Sequence, residues 1–151
     1  MKKITPYIRN VYYYETDKMK IMHHSNYIRI LEESRVWFLH EAGLPFEKIE
    51  EMGILMPVLS VECRYIKPLV FGDTFEVYPY IERFTGAKLE LSYRIVNAET
   101  GELNAEGSSS HCFTDNDLKP LRTKVNFPEV YKLFKDYEKV EIEGKHGKEV
   151  L

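Results

Sequence analysis

Cysteine is scarce. Cys63 and Cys112 are the only two in 151 residues, with neither a CxxC pair nor zinc-ligand spacing. That excludes a disulfide framework and a cysteine-bound zinc, and it predicts reduced thiols in a cytoplasmic protein. No apolar run approaches the ~18 residues a membrane span needs. The start, Met1 to Pro6, is charged and lacks an apolar core, so no signal peptide is predicted. Neither sign of charge dominates: 21 Lys and Arg against 24 Asp and Glu give a net charge of −3. The basic excess of a nucleic-acid binder is therefore missing. Also missing are a P-loop, a GxGxxG turn, any internal repeat and any low-complexity stretch. Ser108 to Ser110 form no GxSxG elbow, which argues against a serine hydrolase.

Aromatic residues, by contrast, are plentiful, with 11 Tyr and 8 Phe. They point to an aromatic-lined core, pocket or subunit interface and leave the three open. The length suits one domain with a core large enough to need no disulfide or metal.

Residues 7 to 14 are rich in Tyr and Val and predict a first strand. Residues 15 to 25 form a loop without Gly or Pro, with Ile21 and Met22 turned inward. From Asn26 to Ala42 one long helix is predicted: Ile28, Leu31, Phe38, Leu39 and Ala42 make an apolar face that Tyr27, Ile30, Val36 and Trp37 widen. Ser25 or Asn26 is placed to cap it, and Gly43 suits its C-terminal end. Pro45 opens a second short helix that stops at Gly53. Four strands follow, around Leu59 to Tyr65, Phe75 to Ile81, Lys88 to Ile95 and residues 103 to 114. The third of these alternates strictly, Leu89, Leu91, Tyr93 and Ile95 against Lys88, Glu90, Ser92 and Arg94. Pro79 predicts an edge or bulged position, and Gly107 a bulge or a close backbone approach. A short strand at 120 to 125 and a helix from Pro128 to about Tyr137 complete a domain spanning 1–137. Residues 138–151 are charged and expected to fray. Strand, long helix, then antiparallel strands is an α+β order. One sheet around one helix leaves surface uncovered, which predicts a homodimer or homotetramer.

The chemistry concentrates around residue 17. Asp17 lies just before a helix N-terminus, where free N–H groups and about half a positive charge gather. A carboxylate acting as base or nucleophile beside such an oxyanion site is the minimum equipment for attacking an activated carbonyl. The plainer reading is a loop Asp bonding its own backbone. His23 and His24 are adjacent and have no Cys or Glu partner at suitable spacing, so no metal site is expected. His111 and Cys112 are strand neighbours that point to opposite faces, which separates them as a nucleophile pair.

Tyr14-x-x-Asp17, then His24-Ser25-Asn26-Tyr27, then Glu32 or Glu33 and Arg35, resembles the signature of the 4-hydroxybenzoyl-CoA thioesterase family of hotdog-fold proteins. Arg64-Tyr65-Ile66-Lys67-Pro68-Leu69 with Gly72-Asp73 is a second similar patch, and the likeness covers about residues 6 to 125. It implies a hotdog fold, with a long central helix wrapped by an antiparallel sheet of about five strands. It also implies an acyl-CoA thioesterase with no cofactor beyond its acyl-CoA substrate. Asp17 would be general base or nucleophile. The His24 backbone N–H would bind the oxyanion. Asn26 and Tyr27 would hold the turn at the substrate, and Arg64 and Lys67 (or Arg83 and Lys88) would meet the coenzyme A phosphates. Apart from the resemblance, Met19, Met22 and Met56 suit a pliable acyl wall, and core packing explains them equally well. A second hotdog lineage uses a carboxylate on the helix, which keeps Glu32 and Glu33 as substitutes. Relatives carry Gly three residues after the Asp; here Lys20 stands there, predicting a different loop path. An acyl-carrier-protein thioesterase and a non-catalytic acyl-CoA-binding module are the alternatives.

Overall fold

A computed structural model describes residues 1–147. The elements are β1 (Tyr7–Asn10), α1 (Ser25–Ala42), α2 (Phe46–Glu51), β2 (Val58–Tyr65), β3 (Thr74–Phe84), β4 (Lys88–Asn97), β5 (Leu103–Cys112), α3 (Thr123–Asn126) and α4 (Pro128–Tyr137). All five strands join one antiparallel sheet in the order β1-β3-β4-β5-β2. The sheet wraps α1, as expected of an α+β chain. Tyr27, Ile30, Leu31, Ser34, Phe38 and Leu39 recur at three- and four-residue spacing and are the buried face of that helix. Each large apolar side chain so buried stabilises the fold by about 1.5–3 kcal/mol. The apolar ones share one core with Phe75, Val77, Tyr93, Ile95 and Ala105 from the sheet. Gly43, at φ +92°, stops the helix in the left-handed conformation that its missing Cβ permits.

Gly107 marks a close approach of sheet and helix. A Cβ there would sit 2.9 Å from a Leu31 methyl and 3.2 Å from the Glu62 carbonyl oxygen. Of the two expectations for this glycine, close approach is the one observed; the β5 register runs unbroken past it.

Between helix and sheet runs a polar chain. Arg35 Nη1 donates to the Tyr93 hydroxyl at 3.0 Å, that hydroxyl and Ser109 Oγ lie 2.6 Å apart, and Ser109 Oγ is 2.8 Å from His111 Nε2. His111 is only 2% exposed. Burial first, then the Arg35 charge, push its imidazole down to about 4, against a Met56 backbone bond that raises it.

Several expectations are corrected. The first strand ends at Asn10, and Tyr13–Glu15 forms a 3₁₀ turn. His24 is the N-cap of α1, with no side-chain cap bond. Neither Ser25 nor Asn26 takes that role. Pro79 lies in β3, between β1 and β4. It is tolerated because β1 pairs with β3 only as far as Val77. The Ile81 carbonyl, two residues on, accepts from Lys139 on the side away from β4. Pro79's missing N–H therefore faces a stretch where the ladder has already ended. In place of a strand at 120 to 125 there is one bridge, Thr114 to Pro120, and then α3. Residues 138–147 are docked, contrary to the expected fraying. Ile142 is buried, Glu138 accepts the Phe84 N–H at 2.6 Å, and His146 Nε2 lies 2.9 Å from the Ala98 carbonyl oxygen. The remainder of that tail, 148–151, lies outside the described residues.

Candidate active site

The loop between β1 and α1 is anchored by a residue that the sequence did not single out. Glu15 is 4% exposed. Its carboxylate takes both Arg9 Nη groups, at 2.7 and 2.8 Å, and the Tyr12 N–H at 2.9 Å. Its backbone carbonyl takes the His23 N–H at 2.8 Å and Asn26 Nδ2 at 2.9 Å. Arg9 also donates to Glu33, at 2.8 and 3.1 Å, and the Tyr7 hydroxyl donates there too, at 2.9 Å. Burial pushes the Glu15 carboxyl up, but the Arg9 and Tyr12 hydrogen bonds and the Arg9 charge bring it below its ordinary value. The Tyr7 hydroxyl, buried beside Glu33, is pushed up to about 12. No sequence period reports this cluster, since its members are 6 and 24 residues apart.

Two residues past Glu15 the chain turns outward. Asp17 Oδ1 accepts the Met19 N–H at 2.8 Å, and the Asp17 N–H donates to the Ile21 carbonyl at 3.0 Å. The Oδ2 oxygen accepts no hydrogen bond from the described residues. Lys20, exposed, has φ +65°. Lys20 thus holds a left-handed turn conformation that a glycine would take at no steric cost.

Asp17 and His24 line one cavity of about 310 Å³, together with Met19, Met22, Tyr27 and Lys67. The His24 N–H makes no hydrogen bond to the described residues, while Asn26 and Tyr27 begin the turn by bonding the His23 and His24 carbonyls at 3.0 and 3.3 Å. Tyr27 is buried and packs edge-on against Tyr65, with ring centroids 4.9 Å apart. Lys67 pairs with Glu102 at the rim.

Other expected residues are placed elsewhere. Asn26 spends its amide on the Glu15 carbonyl and faces a separate groove of about 730 Å³, which also holds Glu32 and Glu33. It therefore positions the Asp17 loop and does not line the smaller cavity. Arg64 projects into another hollow and pairs with Glu106 at 3.0 Å, so it does not join Lys67. Met56 packs against the core, outside the cavity lining. His111 meets Ser109, not Cys112. Among the described residues no group of three or more His, Cys, Asp or Glu is arranged to hold a metal ion, and no helix is long and apolar enough to cross a membrane.

A family model described as the thioesterase-like superfamily matches residues 11–134. The chain is 36% identical over 120 residues to the Bacillus subtilis (strain 168) protein named "Putative acyl-CoA thioesterase YneP", covering 79% of this chain and 86% of that one. A hypothetical protein of Aquifex aeolicus, known from its crystal structure, is similar at a TM-score of 0.78 and 34% identity, over 85% of this chain and 98% of that one. The DHNA-CoA thioesterase of Staphylococcus aureus superposes at a TM-score of 0.82 with 26% identity, over 87% and 89% of the two chains.

Proposed function

Because the chain belongs to the thioesterase-like superfamily, we propose that it hydrolyses an acyl-CoA thioester to the free carboxylic acid and coenzyme A. The observation that carries this reading is the shared cavity: Asp17 and the entrance of α1 line the same space. A thioester carbonyl seated there lies between a carboxylate with one uncommitted oxygen and the His24 N–H at the positive end of an 18-residue helix. As general base, Asp17 takes a proton from water as its oxygen attacks the carbonyl carbon. The oxyanion forms against the His24 N–H, the C–S bond breaks, and the coenzyme A thiolate leaves with the proton Asp17 holds. As nucleophile, Asp17 attacks the same carbon, the C–S bond breaks and the coenzyme A thiolate leaves, and water then opens the resulting mixed anhydride to the free acid and the Asp17 carboxylate. Met19, Met22 and Tyr27 are the acyl wall, and Lys67 is the cation at the rim. Glu32 and Glu33 lie in the other groove, which favours Asp17 as the working carboxylate.

The catalytic unit is one hotdog domain over 1–137 with 138–147 packed onto it, and it works as a homo-oligomer. Strand β2 supports the assembly. It is a sheet edge eight residues long, and Val58 (50%), Leu59 (53%) and Tyr65 (49%) are exposed along it. An uncovered apolar edge of that length is a template for a second chain. The opposite edge, β1, has four residues.

Thiol release from acetyl- to palmitoyl-CoA and from aromatic acyl-CoAs, by the wild type and by Asp17→Asn, tests the reading. Turnover that falls at least ~100-fold in the variant, with substrate binding kept, is the expected result. Binding without turnover of any CoA ester by the wild type sinks it in favour of a carrier-protein substrate or a binding module. Unchanged turnover in the variant removes Asp17 and returns Glu32 and Glu33 to consideration.

A further inference from the structure

The two walls of the cavity come from different parts of the chain, the entrance of α1 and the end of β2. One side-chain hydrogen bond ties them together. The Tyr65 hydroxyl donates to the His24 backbone carbonyl at 3.2 Å, across 41 residues of sequence. Its ring is held edge-on to Tyr27 at 4.9 Å and to His24 at 6.5 Å. The other bonds at the entrance are local or reach back into the Asp17 loop: His23 Nδ1 lies 2.8 Å from Ser25 Oγ and accepts the Ser25 N–H at 3.2 Å, and Asn26 donates to Glu15. The Ser25 N–H shares its peptide with the His24 carbonyl, but none of these bonds comes from outside the entrance and its loop. His24 also has no side-chain cap bond of its own. The free His24 N–H lies in the His23–His24 peptide, whose carbonyl takes the Asn26 N–H at 3.0 Å. The carbonyl on the other side of His24 takes the Tyr27 N–H, at a long 3.3 Å, and the Tyr65 hydroxyl. The two peptide planes that meet at His24 are therefore held together, the second of them from a distant strand.

We propose that Tyr65 is a positioning residue for the thioesterase reaction, fixing the helix entrance so that the His24 N–H meets the oxyanion. The inference rests on the function proposed above. Tyr65 acts through His24, and its hydroxyl, committed to the carbonyl, takes no proton from substrate. Because Tyr65 closes the exposed edge strand, the same bond links the oxyanion site to the strand along which a second copy pairs.

The test compares Tyr65→Phe with the wild type on the acyl-CoA that turns over best. Loss of one hydrogen bond that matters only for orientation lowers kcat by about 3- to 10-fold. KM, acyl preference and melting temperature stay at wild-type values. Tyr65→Ala, which also removes the edge-on packing against Tyr27, raises KM in addition. A kcat of Tyr65→Phe equal to that of the wild type overturns the inference, while an Asp17→Asn variant that is inactive in the same assay leaves the thioesterase reading standing. A rise in KM at constant kcat overturns it too, since it marks a substrate contact. Amide hydrogen exchange decides the point even for a protein that turns over no ester: exchange of the Tyr27 N–H, which shares the His24 carbonyl, accelerates in Tyr65→Phe if the bond holds the turn. Unchanged exchange overturns the inference.

Discussion

Glu15 and Asp17 are carboxylates two residues apart in one loop, and the fold treats them in opposite ways. Glu15 is sealed, with both oxygens held by Arg9 and one also by Tyr12. Asp17 is half-exposed and receives a single backbone N–H. A buried carboxylate is tolerable only when paired and hydrogen-bonded, and once so satisfied it has nothing left for a substrate. A reactive carboxylate needs the reverse, a defined place with an oxygen to spare. The first group supplies the rigidity that the second requires: the Glu15 carbonyl accepts from His23 and Asn26 and thereby joins the loop to the helix entrance.

The sharpest way to break this contrast is to exchange the two fates. Glu15→Gln leaves Arg9 buried with only Glu33 for charge, and unfolding by urea should show a loss of about 3–5 kcal/mol. Asp17→Asn, measured in the same way, should melt within about 0.5 kcal/mol of the wild type. A variant pair with equal stability would mean that Glu15 anchors nothing.

Acid separates the sealed groups from one another. The His111 imidazole is depressed to about 4 in the folded chain. Its contribution is present above the ordinary histidine pKa of about 6.5 and is lost as pH falls from there toward 4, amounting to at most about 3 kcal/mol. The Glu15 carboxyl is also lowered. Its contribution is present above the ordinary carboxylate range and is lost only as pH falls below that range. Stability should therefore decline in two steps on acidification, and His111→Gln should remove the upper one. A single decline, identical in wild type and His111→Gln, would place the imidazole outside the stability balance.

The smallest effect is at Lys20. A non-glycine residue at φ +65° costs about 1 kcal/mol. Lys20→Gly should raise stability by up to about 0.5–1 kcal/mol, offset by the greater freedom of glycine in the unfolded chain. A destabilised Lys20→Gly would show that the lysine side chain makes a contact worth more than the strain.

The Asp17–His24 stretch was legible because its residues are close in sequence and flank a helix start. α4 was legible in its start at Pro128 and its approximate end near Tyr137, because proline opens helices and the apolar spacing is local. The strict alternation of β4 likewise survives into a strand with Leu89, Leu91, Tyr93 and Ile95 buried. Glu15 carried no such signal, a lone acid after three tyrosines. Pro79 marks a local edge, past the end of β1 and close to the register shift between Ile81 and Arg83, inside a strand that as a whole lies between two others; how far β1 runs is not written in the sequence around Pro79. Asn26 and Arg64 were assigned to the substrate from motif position, while the structure turns them toward a carbonyl and a neighbouring carboxylate.

By itself, the sequence determined the periods of the long elements, the central helix, α4 and the four later strands, and that a carboxylate precedes a helix entrance. These follow from backbone geometry over a few residues. The short segments at 13–15 and 120–126 were not decided by the sequence alone. Only the tertiary structure decided the order β1-β3-β4-β5-β2 and the sealing of Glu15 by Arg9 and Glu33. It also decided that Tyr65 reaches His24 across 41 residues. Such pairings depend on which faces meet when the apolar surfaces of helix and sheet leave water, a choice made by the whole chain at once.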